Sequence, residues 1–199
     1  QEGHTGSTFE GLWTEGVLST LRTPGFPRYG ADADHIMVKR TPDGLERAKR
    51  IIEAGRHYSF FTLDVSDLLD YAALAAGDGA ARLEAILPDP LERRLLVAYH
   101  HDASRAVCRA RHGSPGPAYA GEESLIGPLV AKYWKALDAA DSLARHIVSL
   151  KGPARFDLEL SIDENPADVR TCDNLTSEQE LVFLLLEAQR RGLPLTHVA

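Results

Sequence analysis

The spacing of apolar positions changes period several times along the chain, and each change marks an element. Phe9, Leu12, Trp13 and Val17 recur at helical intervals and predict a helix from about Thr8 to Leu21, followed by a Pro/Gly turn over 24–27. Three short runs of apolar or β-branched residues then end in acids or histidine. They are GADADHI at 30–36, YSFFTLD at 58–64 and FDLELSIDE at 156–164. The run from Tyr58 to Leu63 is nearly all apolar, the pattern of a parallel strand covered on both faces. Between the first two runs, Thr41 is a good N-cap, Pro42 suits a first helical position, and Leu45, Ala48, Ile51 and Ile52 share a face before Gly55. Strand, helix and strand thus fit within about 30 residues, the size of one βαβ unit.

The middle of the chain breaks this rhythm. Leu91, Leu95, Leu96, Tyr99, Ala103, Ala106, Val107 and Ala110 keep a helical period to about Arg111, and a second helix is expected from about Ser124 to Leu150. The stretch GSPGPAY at 113–119 joins them, its glycines and prolines opposing regular structure. A last helix, capped by Thr176 or Ser177, runs through Leu181, Leu184, Leu185 and Ala188 to Arg190, Arg191 and Gly192. The final LPLTHVA at 193–199 reads as a fourth strand.

Strands alternating with helices predict an α/β fold, and acidic strand ends suit a (β/α)8 TIM barrel, whose chemistry gathers at the C-terminal ends of its strands. Residues 1–199 then form a partial barrel domain with a helical insertion at about 80–150, a hairpin projecting from the rim or packing on a neighbouring subunit of a homo-oligomer. Only four strand candidates are visible where a closed barrel needs eight. A chain that opens on Gln1 and stops within a strand reads as part of a longer protein. The other barrel half is expected from missing sequence or from another chain.

Composition narrows the class. The 199 residues are 44% hydrophobic and 26% charged, the balance of a soluble domain with a real core. A formal net charge of -7 argues against a nucleic-acid partner, whose phosphates need clustered Lys and Arg. Two distant cysteines, Cys108 and Cys172, indicate neither a disulfide scaffold nor a zinc ribbon and fit a reducing cytoplasm. No run approaches the length of a membrane span. The Asn174-Leu175-Thr176 tripeptide has the form of a glycosylation acceptor but stands in a chain without a secretion signal.

Carboxylates and an imidazole at strand ends suit a divalent cation acting on an oxygen-rich small molecule. His35 is the first candidate ligand, because it ends a strand beside acids and a neutral imidazole suits Zn, Co, Ni or Mn. Glu164 is the second; Asp163 would point to the other side of an extended strand. Asp34 is placed to act beside the ligand, and Asp64 is a candidate general base at the end of a buried strand. Lys39 and Ser161 are candidate substrate-binding residues. The cluster at His100, His101 and Asp102 is discounted, because neighbours on a helix diverge by about 100°.

The motifs GADADH at 30–35, TPD at 41–43, FFTLD at 60–64, LSIDE at 160–164 and QRRG at 189–192 together resemble the tagaturonate epimerase family, in order and spacing along nearly the whole chain. The resemblance implies a metal-dependent (β/α)8 barrel that interconverts D-tagaturonate and D-fructuronate, sugar acids differing at C4. It also implies a longer protein whose remaining half contributes to the same metal site. Near the start, HTGST at 4–8 stands where the family has Arg-Thr-Gly-Arg-Thr, so two cations suited to an anionic substrate are replaced. Because C4 is β to the carbonyl, its proton is not acidic, and retro-aldol cleavage with recombination on the other face is the expected route. No Gly-x-Gly-x-x-Gly stretch is present to hold a nicotinamide, and none is expected. Alternatives within the same chemistry are a class II type aldolase and a ketose epimerase with a different sugar. A different class of function is a non-catalytic sugar-binding homologue or fragment.

Overall fold

The computed structural model describes residues 6–25, 29–112, 123–153, 155–164, 169–170 and 175–199, without the side chains of 108, 111 and 112. His4 in the HTGST motif, the 113–119 connection, the loop at 165–168, Cys172 and Asn174 lie outside them. The architecture is α/β, with six α-helices and a four-stranded parallel sheet among the described residues. The helices are α1 (Phe9–Arg22), α2 (Gly44–Ala54), α3 (Gly79–Ile86), α4 (Pro90–His112), α5 (Glu123–Lys151) and α6 (Glu178–Arg191). The strands are β1 (Asp32–Met37), β2 (Phe60–Asp64), β3 (Asp157–Ser161) and β4 (His197–Val198), in the spatial order β1-β2-β3-β4. No helix among the described residues is long and apolar enough to cross a membrane.

The chain divides into two compact units. The first comprises 1–68, 139–164 and 194–199, and the second 69–138 and 165–193. Helix α5 therefore contributes its part up to Asp138 to the second unit and its remainder, from Ala139, to the first.

The first unit carries the sheet. Register fixes which residues share a face, because directly paired residues of a parallel sheet point the same way. Ala33 pairs with Phe61, Phe61 with Leu158 and Leu63 with Leu160, and all five are fully buried. They build an apolar core with Ala48 and Ile52 of α2 and Leu143 and Ile147 of α5. The opposite face is polar: Thr62 pairs with Glu159, Glu159 with His197, and Asp64 with Ser161. β2 is thus not apolar on both sides as its composition suggests, since Thr62 and Asp64 sit on the polar side, each only 1% exposed. Helix α1, capped by the Thr8 hydroxyl on the Gly11 amide, buries none of its residues fully. Its Phe9 meets Tyr58 edge to face at 5.4 Å, and the Tyr58 hydroxyl donates to the Phe9 carbonyl.

Helix α2 begins two residues later than the Thr41 cap and Pro42 predict. The Thr41 hydroxyl donates to the Asp43 carboxylate, and the Thr41 carbonyl accepts from the Gly44 amide, so 41–44 is a closed turn that delays the helix. Helix α6 follows its sequence signals closely. Ser177 and Glu180 make a capping box, and Gly192 ends the helix at φ 71°, a left-handed conformation that favours glycine.

The second unit is helical and is held by buried ion pairs as well as by its core of Leu83, Leu96, Ile126, Leu137 and Phe183. Lys132, 2% exposed, pairs with Glu180, which also accepts from the Tyr133 hydroxyl. Helices α3 and α5 approach so closely that a methyl group on Gly127 would overlap the Gly79 carbonyl oxygen. Neither backbone can retreat without opening the core. Gly127→Ala is therefore expected to destabilise the protein by about 1–3 kcal/mol, read as a lower denaturation midpoint. Ala at Gly77, whose added Cβ meets nothing within 4 Å, tests the alternative that any added methyl is harmful. Its penalty is limited to that of its positive φ, 71°.

Candidate functional site

The polar face of the sheet ends in a constellation built by an irregularity in β1. Pairing runs regularly from Asp32 to Ala33, then resumes only at Ile36, opposite Leu63. Asp34 and His35 together oppose the single residue Thr62, which makes the segment a β-bulge. His35 takes φ 47°, the only positive value among the described non-glycine residues. A regular strand would turn adjacent side chains to opposite faces, whereas here Asp34 and His35 are both exposed between buried Ala33 and Ile36.

The bulge brings the imidazole between two carboxylates. His35 Nδ1 lies 3.7 Å from Glu164 Oε1, and Nε2 lies 3.6 Å from Asp34 Oδ1. Of the sequence candidates, Asp34, His35 and Glu164 are thus brought together. Asp64 and Ser161 lie side by side on the same polar face, two positions nearer the C-terminal ends of their strands than the bulge, with Ser161 fully buried. Asp64 Oδ1 accepts the Ser66 amide, so one of its oxygens closes the turn after β2. The Ser161 hydroxyl donates to Asp163 Oδ1 at 2.9 Å, which ties Ser161 to its own loop. Lys39 is exposed, and its carbonyl lies against Gly44 at the start of α2. The loops after β1 and β2 are joined by Arg40, whose amide and Nε both donate to Asp67.

Besides Glu159, one of the acids of the run at 156–164, the polar residues Thr62, His197 and Asp32 of this face carry no sequence prediction as site residues. The Thr62 hydroxyl donates to Glu159 Oε1 at 3.3 Å, and His197 meets the Phe60 ring at 5.1 Å. Asp32 stands in the same neighbourhood. Partial burial raises its carboxyl above the usual range, and the charges of Asp34 and Glu159 add to the effect, against the opposing influence of His35 and Thr62. The signal was available in the sequence as strict alternation: Thr62 and Asp64 in one strand, Glu159 and Ser161 in another, one face each.

The donor set fits a metal in kind and, for two ligands, in spacing. Ligands about 2.1 Å from one ion stand about 3.0–3.4 Å apart, so the 3.7 Å between His35 Nδ1 and Glu164 Oε1 needs only a small closure. Asp34 Oδ1, 3.6 Å from the other ring nitrogen, lies just beyond hydrogen-bond distance, so a small closure there too would give the carboxylate–histidine arrangement that can fix an imidazole's tautomer. No group of three or more His, Cys, Asp or Glu residues able to hold an ion occurs among the described residues.

His100 belongs to another environment. It is fully buried, stacks on Phe183 at 4.8 Å, and its Nε2 lies 3.1 Å from the equally buried Glu187 carboxylate. Its role is to tie α4 to α6. Arg93, one of the basic residues on α4, pairs with Glu84 and Glu123.

Models of protein families, curated proteins and solved structures were each compared with the chain, and none matches.

Proposed function

We propose that the protein is a metal-dependent epimerase of a keto-uronate, interconverting D-tagaturonate and D-fructuronate at C4. The observation that carries this reading is the bulge within β1, which presents His35 on the polar face of a parallel sheet, with Glu164 from the segment after β3 at one ring nitrogen and Asp34 at the other. The sequential order β1-β2-β3-β4 also supports it, being the winding of a barrel rather than of a doubly wound sheet, whose order reverses. In this reading the sheet is part of a (β/α)8 barrel, and its polar face lines the interior. Further strands and ligands come from sequence beyond this chain or from a second chain.

His35 and Glu164 would hold the cation, a Zn, Co, Ni or Mn ion, with Asp34 keeping the ring in the tautomer that frees Nδ1. When bound, such an ion supplies electrophilic stabilisation to negative charge developing on the sugar's oxygens. Asp64 is the proposed base for the 4-hydroxyl proton, with the Ser66 amide fixing its orientation through Oδ1. As that proton leaves, the C3–C4 bond breaks to an enediolate and an aldehyde. The aldehyde turns, the bond re-forms on its other face, and Asp64 returns the proton to the new alkoxide. Lys39 and Ser161 are the proposed contacts to the sugar acid, and the compartment proposed for this metabolism is the cytoplasm.

The test is metal analysis of the full-length protein coupled to an assay of fructuronate formed from tagaturonate. About one transition-metal ion per chain is expected, with activity lost to a chelator and restored by adding the ion back. Turnover that persists unchanged in metal-free protein would remove the basis of the mechanism.

A further inference from the structure

The middle of the polar sheet face contains a row that the proposed chemistry does not use. Thr62, Glu159 and His197 are in direct register across β2, β3 and β4. Central positions of parallel strands are normally apolar on both faces, and the interior layers of barrels are dominated by branched aliphatic residues. Here the row is polar throughout, and its members are oriented by their neighbours. The Thr62 hydroxyl, 1% exposed, donates to Glu159 Oε1. The His197 Nδ1 lies 2.9 Å from the Thr196 hydroxyl, which is anchored on Leu158 of β3, and its ring meets Phe60. These contacts engage Glu159 through one oxygen and His197 through one nitrogen, and Glu159 is only partly buried. A carboxylate oxygen is an acceptor only, and two or more sugar hydroxyls are donors suited to it. The row also lies near the bulge, because Asp32 interacts both with Asp34 and His35 and with Thr62 and Glu159.

We propose that Glu159, oriented by Thr62, is a substrate-binding residue that accepts hydrogen bonds from the hydroxyls of a polyhydroxylated acid, with His197 flanking the same subsite. The inference rests on the epimerase reading and adds to it the residue that recognises the substrate's polyol portion. A partly buried acceptor that expects hydroxyl donors discriminates against compounds lacking them, which makes Glu159 a specificity determinant.

The experiment uses the full-length, metal-loaded protein and compares wild type with Glu159→Gln, Glu159→Asp and Thr62→Val. Tagaturonate turnover, tagaturonate binding by calorimetry and metal content are measured on each. The expected result for Glu159→Gln is a tenfold or greater rise in KM and in Kd, with metal content unchanged, as for loss of a charged hydrogen-bond partner. Thr62→Val is expected to show a smaller rise in the same direction. Glu159→Asp, which keeps the charge but withdraws it, covers failure of the glutamine variant to fold and is expected to raise KM likewise. A wild type that turns over tagaturonate while these variants keep its KM and Kd within twofold overturns the subsite and leaves the epimerase standing. Glu159-dependent binding without turnover supports the subsite and removes the activity. A wild type that neither binds nor converts the sugar acid overturns both.

Discussion

Replacing Glu187 with Ala is expected to destabilise the protein by about 2–4 kcal/mol, from the lost side-chain packing and the hydrogen bonds of a fully buried carboxylate. Glu187 is fully buried in α6 and receives Arg190 through two bonds of 2.7 and 2.8 Å and Arg191 through one of 2.8 Å, besides its contact with buried His100. Arg191 continues outward to Asp138 and lies over the Trp134 ring at 4.3 Å. Truncation would open a cavity and leave buried His100 and the Nε of Arg191 without their acceptor, while Arg191 keeps Asp138 and Arg190 turns to solvent. Glu187→Gln separates charge from volume, since it keeps the shape and loses only the negative charge.

The pH dependence of stability follows from the same carboxylate. Burial alone would push Glu187 up, but hydrogen bonds from His100, Arg190 and Arg191 outweigh it and hold the group at about 2, against an ordinary value of 4.5. A folded-state pKa below the unfolded one means that the native protein binds fewer protons in this window. Its contribution is fully present above about pH 4.5 and is lost as the pH falls towards about 2. Chemical denaturation repeated from pH 7 down to pH 2.5 should show the wild type losing its advantage over Glu187→Gln across that interval. A constant gap between the two would mean that the carboxylate's charge does not carry the stabilisation.

Local signals made much of this architecture legible. The extents of α4, α5 and α6 follow from apolar periodicity and caps, because both are written within a few turns of chain. Helix α2 starts later than Thr41 and Pro42 predict because the Thr41 hydroxyl bonds to the nearby Asp43 carboxylate and closes a turn instead of capping the helix. The His100–Glu187 contact joins residues 87 positions apart, and no local pattern distinguishes a histidine that will be buried there from a solvated one. His35 and Glu164 are legible as residue types, although His35 lies within β1 and not at its end, and the device that unites Asp34 and His35 is not legible. A bulge depends on pairing with β2, and nothing in the string GADADHI states that two of its residues will oppose one threonine.

That device gives the second large effect. On the proposed metal-dependent epimerase reading, His35→Ala is expected to lower turnover of tagaturonate by about 10³-fold or more, corresponding to about 4 kcal/mol of lost transition-state stabilisation. Asp34→Asn, which keeps the ring's neighbour but weakens its hold on the tautomer, should reduce metal affinity about 10–100-fold. A structural role for His35 would predict loss of activity through unfolding instead, and the backbone supplies the means to separate the two. At φ 47° an alanine is strained while a glycine is not. His35→Gly should therefore fold at least as stably as the wild type in the absence of metal and yet bind metal no better than His35→Ala. If the glycine variant instead retained metal and turnover, the imidazole would be a filler of the bulge, and the chemistry would have to be sought among the other residues of the polar face.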